Sequence, residues 1–293
     1  MASANPHLFV FGMGYSARRW VPRFLARGWT VSGTARGEAK RAELAGEGIH
    51  AWLFDRDRPL TDPDAALAGV THLLSSVPPD RVGDHDAVLD HHGERLAGMS
   101  DLAWAGYLST TGVYGDRDGG WVDESSALHP TSERSERRAH AESRWRALCA
   151  DHGVPVHIFR LAGIYGPGRG PFESIRNGTA RRVEKPGHVF SRIHVEDIAN
   201  TLDASVAAPD PGAIYNVCDD EPAPPQDVTG FACELLGVEP PPLVPFEEAE
   251  MSAMARTFWR DNKRVANTRL RRELGVRLAY PTSREGLRAL AAA

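Results

Sequence analysis

The residues with the most definite chemical potential lie near the start of the chain. Phe11 closes a short apolar run and is followed by Gly12-Met13-Gly14-Tyr15-Ser16-Ala17, a G-x-G-x-x-A pattern that opens a segment with helical spacing. Glycine at position 12 permits a tight turn, and glycine at 14 lets the backbone approach a pyrophosphate. Ala17 keeps the helix close to the strand, and the amide end of the helix, with Tyr15 and Ser16 beside it, holds the anion. The spacing predicts dinucleotide binding. A plain turn is the bland alternative, because glycine serves turns as well.

The next apolar run bears on which dinucleotide. Folds that bind NAD usually carry Asp or Glu at the end of the second strand for the ribose 2′-hydroxyl, whereas an arginine there accommodates the 2′-phosphate of NADP. This chain has Val31-Ser-Gly-Thr-Ala-Arg36, with no carboxylate in the stretch and a guanidinium able to fork onto a phosphate. The expected cofactor is NADP, with NAD as the alternative. Only three of the 34 basic residues are lysines (Lys40, Lys185 and Lys263), so Arg36 could also be one more arginine in an arginine-biased chain. Asp55, after the third apolar run, is placed to accept from an adenine amino group. Ser76, in the run Thr71–Val77, completes the expected cofactor set.

The elements that must position these residues follow from the hydrophobic pattern. Leu8–Phe11, Thr30–Gly33, His50–Phe54, Thr71–Val77, Tyr107–Thr110 and Val156–Arg160 are mostly continuous apolar runs, as in strands buried on both faces of a parallel sheet. Segments of helical spacing, among them Ser16–Arg27, Glu38–Ala45 and Glu133–Ala150, alternate with them. The alternation predicts an α/β fold, a Rossmann-type doubly wound parallel sheet. After Arg160, Gly-Pro turns and proline clusters break the rhythm. The expectation is a dinucleotide-binding domain over 1–165 with returns near 190–218, and a smaller, interleaved C-terminal substrate lobe in 166–293. Arg264–Leu290 reads as a helix, a turn and a second helix.

Composition excludes several classes. The 293 residues are 42% hydrophobic and 25% charged with net charge −5, enough for a sizeable core and too acidic for a nucleic-acid binder. Three dispersed cysteines argue against a disulfide framework or structural zinc. The N-terminal stretch lacks a basic region of the signal-peptide kind, and no run approaches the roughly 18–20 apolar residues of a membrane span. These features predict a soluble cytoplasmic protein that binds neither membrane nor nucleic acid.

Further motifs extend the pattern along the chain. Leu108-Ser-Thr-Thr-Gly-Val-Tyr-Gly115 is followed by Val122-Asp-Glu124 and Pro130, then by Arg160-Leu-Ala-Gly-Ile-Tyr-Gly-Pro-Gly-Arg169. Ser191-Arg-Ile-His-Val-Glu-Asp-Ile-Ala199 and Tyr215-Asn-Val-Cys-Asp219 complete the series. Together with the glycine loop these resemble the extended short-chain dehydrogenase/reductase superfamily, in its NAD(P)-dependent epimerase/dehydratase branch, over nearly the whole chain. The resemblance implies a Rossmann-type domain, a small substrate lobe and chemistry on nucleotide-linked sugars. Members often dimerise through a helical bundle, so it also implies a homodimer as the oligomer to test.

The family chemistry rests on Ser/Thr and then Tyr-x-x-x-Lys on the helix after the proline. By that resemblance the Ser/Thr position falls on Thr110, the Tyr on Arg134, the Lys on Arg138 and a helix Glu on Glu142. The Tyr–Lys pair is absent: no tyrosine lies between Tyr114 and Tyr165, and no lysine stands four residues after a tyrosine. Arginine stays protonated, so neither replacement can act as a general base near neutrality. Positions 134 and 138 share a helix face. Arg138 could take over the ribose contact, and Arg134 could anchor an anion or stabilise an oxyanion. Both as solvated helix charges is the bland reading.

Candidate acids elsewhere are Tyr114, beside the Thr110 strand end, and Tyr165. Arg169, Arg192 and His194 lie on segments that border the substrate pocket in relatives. Asp84-His-Asp86 and Asp90-His-His-Gly-Glu94 look metal-like, yet no third ligand is evident, and a solvated helix or loop with no metal is the expectation. The sequence therefore predicts an atypical NAD(P)-dependent oxidoreductase or epimerase for a small polar, anionic or sugar-like substrate. The alternative is a catalytically silent NADP-binding sensor or scaffold.

Overall fold

The computed structural model describes residues 5–292, leaving out the side chains of residues 253 and 254. The first four residues, part of the stretch read for a leader, lie outside the described residues. Two compact units are present. Among the described residues, one comprises 5–109, 136–160 and 202–215, and the other 110–135, 161–201 and 216–292.

The first unit is built on strands β1 (His7–Phe11), β2 (Thr30–Ala35), β3 (His50–Leu53), β4 (His72–Ser75) and β5 (Trp104–Thr110). With strands Val156–Leu161 and Ile214–Val217 they form a seven-stranded sheet, ordered 214–217, 156–161, β5, β4, β1, β2, β3. β1 pairs in parallel with β2 and β4, β2 with β3, and β4 with β5. The order reverses direction at β1, the strand that leads into the glycine loop. In doubly wound sheets ligands bind beyond the carboxyl ends of the strands at such a switch point.

The helices are α1 (Tyr15–Trp20), α2 (Pro22–Ala26), α3 (Glu38–Gly46), α4 (Pro63–Leu67), α5 (Ala87–Ala97) and α6 (Glu133–His152). The expected helix over 16–27 is divided into α1 and α2, the second opening with a proline at its first position. α5 starts at Asp86, whose carboxylate accepts from the amides of Val88 and Leu89 and so satisfies orphan donors of the first turn. α6 buries Ala141, Glu142, Trp145 and Leu148, a stripe at helical spacing. Trp145 packs at 18° to the Tyr107 ring, with centroids 5.4 Å apart.

His92 departs from the solvated-helix expectation. It lies on the inner face of α5, 4% exposed, near the Phe11 ring, and burial brings its pKa down to about 4. Spacing alone could not distinguish it from His91 and His85, which remain exposed.

Gly33 explains how the loop after β1 is seated. A Cβ there would fall 2.5 Å from the Val10 carbonyl oxygen and 2.6 Å from Met13 Cε, so only glycine leaves room for Met13 beneath the loop. Gly33→Ala is expected to destabilise the fold by about 1–3 kcal/mol through overpacking, measured by urea unfolding. A stability equal to that of the unsubstituted chain would show that the loop yields freely.

In the second unit, helices Pro171–Arg176, Pro225–Leu236 and Ser283–Ala292 enclose Phe172, Val228, Phe231, Ala232 and Leu287. A separate cluster joins Val183, Ala249 and Trp259 to Phe190 and Phe246. The expected helix from Arg264 begins instead as a strand, Arg264–Val265, paired in parallel with Trp121–Val122. The Arg264 and Ala266 amides donate to the carbonyls of Gly120 and Val122, a non-local pairing that local helix preference cannot reveal. Helices Thr268–Glu273 and Ser283–Ala292 follow.

Candidate functional site

In the first unit the loop after β1 is held from below. Gly12 has φ +84°, and a Cβ there would meet Ser76 Oγ at 3.0 Å and Val77 Cγ2 at 3.1 Å. The Gly12 amide donates to Thr34 Oγ1 at 2.8 Å, and Ser76 Oγ donates to the Gly12 carbonyl. Gly14 is exposed, and among the described residues a Cβ there would meet Ser76 Oγ alone, at 3.9 Å. The backbone at Gly14 is therefore open to the approach of a ligand. Ser16 and Ala17 are buried behind it and Tyr15 is half-buried. A pyrophosphate fits this arrangement.

Beyond the ends of β2 and β3, Arg36 is exposed. Asp55 does not stand alone there. Its Oδ1 accepts from the Asp57 amide at 3.1 Å, and its Oδ2 pairs with Arg58 Nη2 at 2.8 Å. The same Arg58 nitrogen donates to the Arg36 carbonyl. Arg58 was not singled out in the sequence, where nothing but an extra arginine in an arginine-rich chain marks it.

Arg138 lies on α6 over the inner end of β5. Its Nη1 donates to the Leu108 carbonyl at 2.8 Å and to the Tyr107 hydroxyl at 3.1 Å, and its guanidinium stands over the Tyr107 ring. Burial pushes the Tyr107 phenol far up, so it stays protonated. The sequence placed Ser109 beside Thr110 but not the network beneath it. Ser109 Oγ donates to Glu142 Oε1, and Glu142 takes Arg160 Nη2 at 2.8 Å with both partners buried.

In the second unit Thr110 Oγ1 accepts from the Gly112 amide at 3.1 Å and caps the short turn Thr111–Tyr114. Tyr114 is fully buried, and its hydroxyl donates to Asn216 Oδ1 at 2.7 Å. Arg134 is exposed, with its guanidinium over the Phe258 ring. Arg169 is exposed on the tight turn that it forms with Gly166.

Tyr165 and Arg192 come together. Arg192 Nη1 donates to the carbonyls of Phe190 and Ala223, both at 3.0 Å, and its charge acts on Tyr165. Burial, then the negative charge of Asp219, raises the Tyr165 phenol far above its usual range. Asp219 is another residue that the sequence does not single out: it is 1% exposed, and burial pushes its carboxyl up to about 8. The Arg192 guanidinium and nearby backbone amides offset only part of that shift. His194 stacks edge-on to Tyr165 and lies 4.1 Å from the Tyr280 ring centroid.

Among the described residues no three His, Cys, Asp or Glu side chains cluster as metal ligands, and no helix is long and apolar enough to cross a membrane.

A parallel doubly wound sheet, its order reversing at the strand that ends in a G-x-G-x-x-A loop, defines a Rossmann-type α/β protein. Residues 8–218 match the family described as NAD dependent epimerase/dehydratase, and the chain belongs to that family. It is 29% identical over 285 residues to Protein YeeZ of Escherichia coli strain K12, covering 93% of this chain and 95% of YeeZ. A solved structure of a functionally unknown conserved protein from Silicibacter pomeroyi superposes with a TM-score of 0.90 at 50% identity. That likeness covers 98% of this chain and 99% of the other. The dTDP-glucose 4,6-dehydratase of Bacillus anthracis, solved in complex with NAD, shares the fold. Its TM-score is 0.77 at 16% identity, covering 98% of this chain and 96% of that one.

Proposed function

We propose that this chain is an NADP-preferring oxidoreductase or epimerase acting on a small polar substrate of anionic or sugar-like character. The observation that carries the reading is the open Gly12–Gly14 cradle followed, at the end of β2, by an exposed arginine in place of a carboxylate. In this reading Gly12 and Gly14, with Tyr15, Ser16 and Ala17 behind them, hold the pyrophosphate, and Ser76 fastens the loop. Arg36 takes the 2′-phosphate, Asp55 lies on the adenine side and Arg138 stands near the nicotinamide ribose. A nicotinamide cofactor supplies or accepts a hydride when bound.

The chain's own chemistry is then positioning and charge. Thr110 Oγ1 binds the substrate oxygen, and Arg134, Arg169 and Arg192 supply cations for an anionic group. Tyr114 spends its hydroxyl on Asn216, and the Tyr165 phenol is held protonated, so the reading assigns both a framework role and takes the proton from water. A silent dinucleotide sensor is the second reading. It is favoured by the arginines that replace the Tyr–Lys pair and by the bonds of Arg138 to Leu108 and Tyr107.

Fluorescence titration with NADPH and NADH tests the cofactor assignment. Tighter NADPH binding is expected, with Arg36→Gln losing about 10- to 100-fold in NADPH affinity, as for a charged hydrogen-bond partner. Equal affinities would overturn the NADP preference, and absence of binding to both would overturn the whole reading. For a chain that binds NADPH, consumption of the cofactor with keto-sugar substrates separates the enzyme from the sensor.

A further inference from the structure

A dianionic phosphate calls for more than one cation, and the ends of β2 and β3 bring a second one to Arg36. Ala35 stands opposite Leu53 in the register, and the Phe54 amide donates to the Ala35 carbonyl, so Arg36 and Asp55 lie side by side where the strands end. Asp55 and Arg58 then close a tight antiparallel bridge, with the Asp55 amide to the Arg58 carbonyl at 3.0 Å and the Arg58 amide to the Asp55 carbonyl at 3.2 Å. This turn folds the Arg58 side chain back toward β2. Its Nη2 reaches the Arg36 carbonyl oxygen at 2.5 Å and Asp55 Oδ2 at 2.8 Å. The guanidinium is thus fixed at two points, while its side chain remains 42% exposed.

The Arg36 carbonyl oxygen matters because its partial negative charge would oppose a phosphate at this corner. A guanidinium donating to it offsets that opposition and is held in a fixed orientation, its charge shared with the Asp55 carboxylate. Among the described residues the Arg36 side chain itself has no hydrogen bond or ion pair, and so its fork is free to close on an anion.

The geometry points to Arg58 as a second specificity-determining residue for the dinucleotide: Arg36 and Arg58 together hold the 2′-phosphate, and Asp55 is the positioning residue that aims Arg58. The inference rests on the NADP reading above and adds to it a residue outside the glycine loop and the end of β2. It also changes the part given to Asp55, whose carboxylate is engaged with Arg58 before any adenine arrives.

The test is a titration of the full chain, as wild type, Arg58→Gln and Arg58→Lys, with NADPH and separately with NADH. Arg58→Gln is expected to weaken NADPH binding by about 10-fold or more while leaving NADH affinity unchanged. Arg58→Lys is expected to retain part of the preference, since it keeps the charge but loses the planar fork. A glutamine variant that binds both dinucleotides as tightly as wild type overturns the inference. Equal weakening of both overturns it too, because Arg58 would then act only as a clamp on the turn. The lysine variant keeps the question answerable should the glutamine variant fail to fold. Failure of the underlying reading is seen separately, in a wild-type chain with no preference for NADPH.

Discussion

Replacing Glu142 with alanine is expected to destabilise the fold by about 3–5 kcal/mol, seen as a lower midpoint in urea unfolding. Glu142 is 1% exposed and Arg160 is 2% exposed. The guanidinium donates through Nε to both carboxylate oxygens at 3.2 Å and through Nη2 to Oε2 at 2.8 Å. Ser109 Oγ completes the shell. Truncation would leave the Arg160 guanidinium charged in the interior without the carboxylate that balances it, because arginine cannot shed its proton there. Much of the loss is the lost charge balance rather than the worth of the pair. A Glu142→Leu, Arg160→Met double variant is accordingly expected to regain most of the stability. A loss below about 1 kcal/mol for the single variant, the scale of an exposed pair, would mean that water reaches Arg160. The pair also bears on the site, since it fastens α6, which carries Arg138, to β5 and to strand Val156–Leu161.

Asp219→Asn is expected to change how stability depends on pH. The folded carboxyl titrates at about 8 against an ordinary value of 3.8, and burial is the principal cause. A carboxyl raised in the folded state binds a proton that the unfolded chain releases. Its stabilising contribution is therefore complete below the unfolded value and is lost as pH rises through the folded value. Between about pH 4 and pH 8 the wild type should lose stability relative to the asparagine variant. The limiting slope is ~1.4 kcal/mol per pH unit, for a total on the order of 5 kcal/mol. Above that window the difference levels off. Urea unfolding of both chains at several pH values measures it. A constant difference from pH 4 to pH 8 would show that Asp219 is ionised throughout, paired with Arg192.

Much of the framework was legible in the residues. Continuous apolar runs located β1 to β5 to within a few residues at their ends, because strands buried on both faces need no polar alternation. The glycine loop was legible because positive φ at 12 and an open approach at 14 demand glycine. That an arginine and no carboxylate stands at the end of β2 is likewise a local fact of the sequence, and the part of Arg36 toward a cofactor is a proposal. The motifs from Leu108 to Asp219 carried the family, which the match over 8–218 shows.

What the residues left open depends on partners far away in the chain. In sequence Tyr114 is only a candidate acid beside Thr110, and it is the fold that bonds its hydroxyl to Asn216; His92 reads as solvated, and α5 turns it toward Phe11. Gly33 has no local signature, since the atoms that require it belong to Val10 and Met13. Asp219 and Asp220 are neighbours in sequence, yet Asp219 is buried while Asp220 is exposed and bonded to Arg271. Periodicity, spacing and residue type thus determined the elements and the glycines of the loop after β1. Burial and non-local pairing decided which charges are held in place, which are stranded and which stay open to a ligand. Those terms depend on distance and solvent access, and only the folded chain sets either.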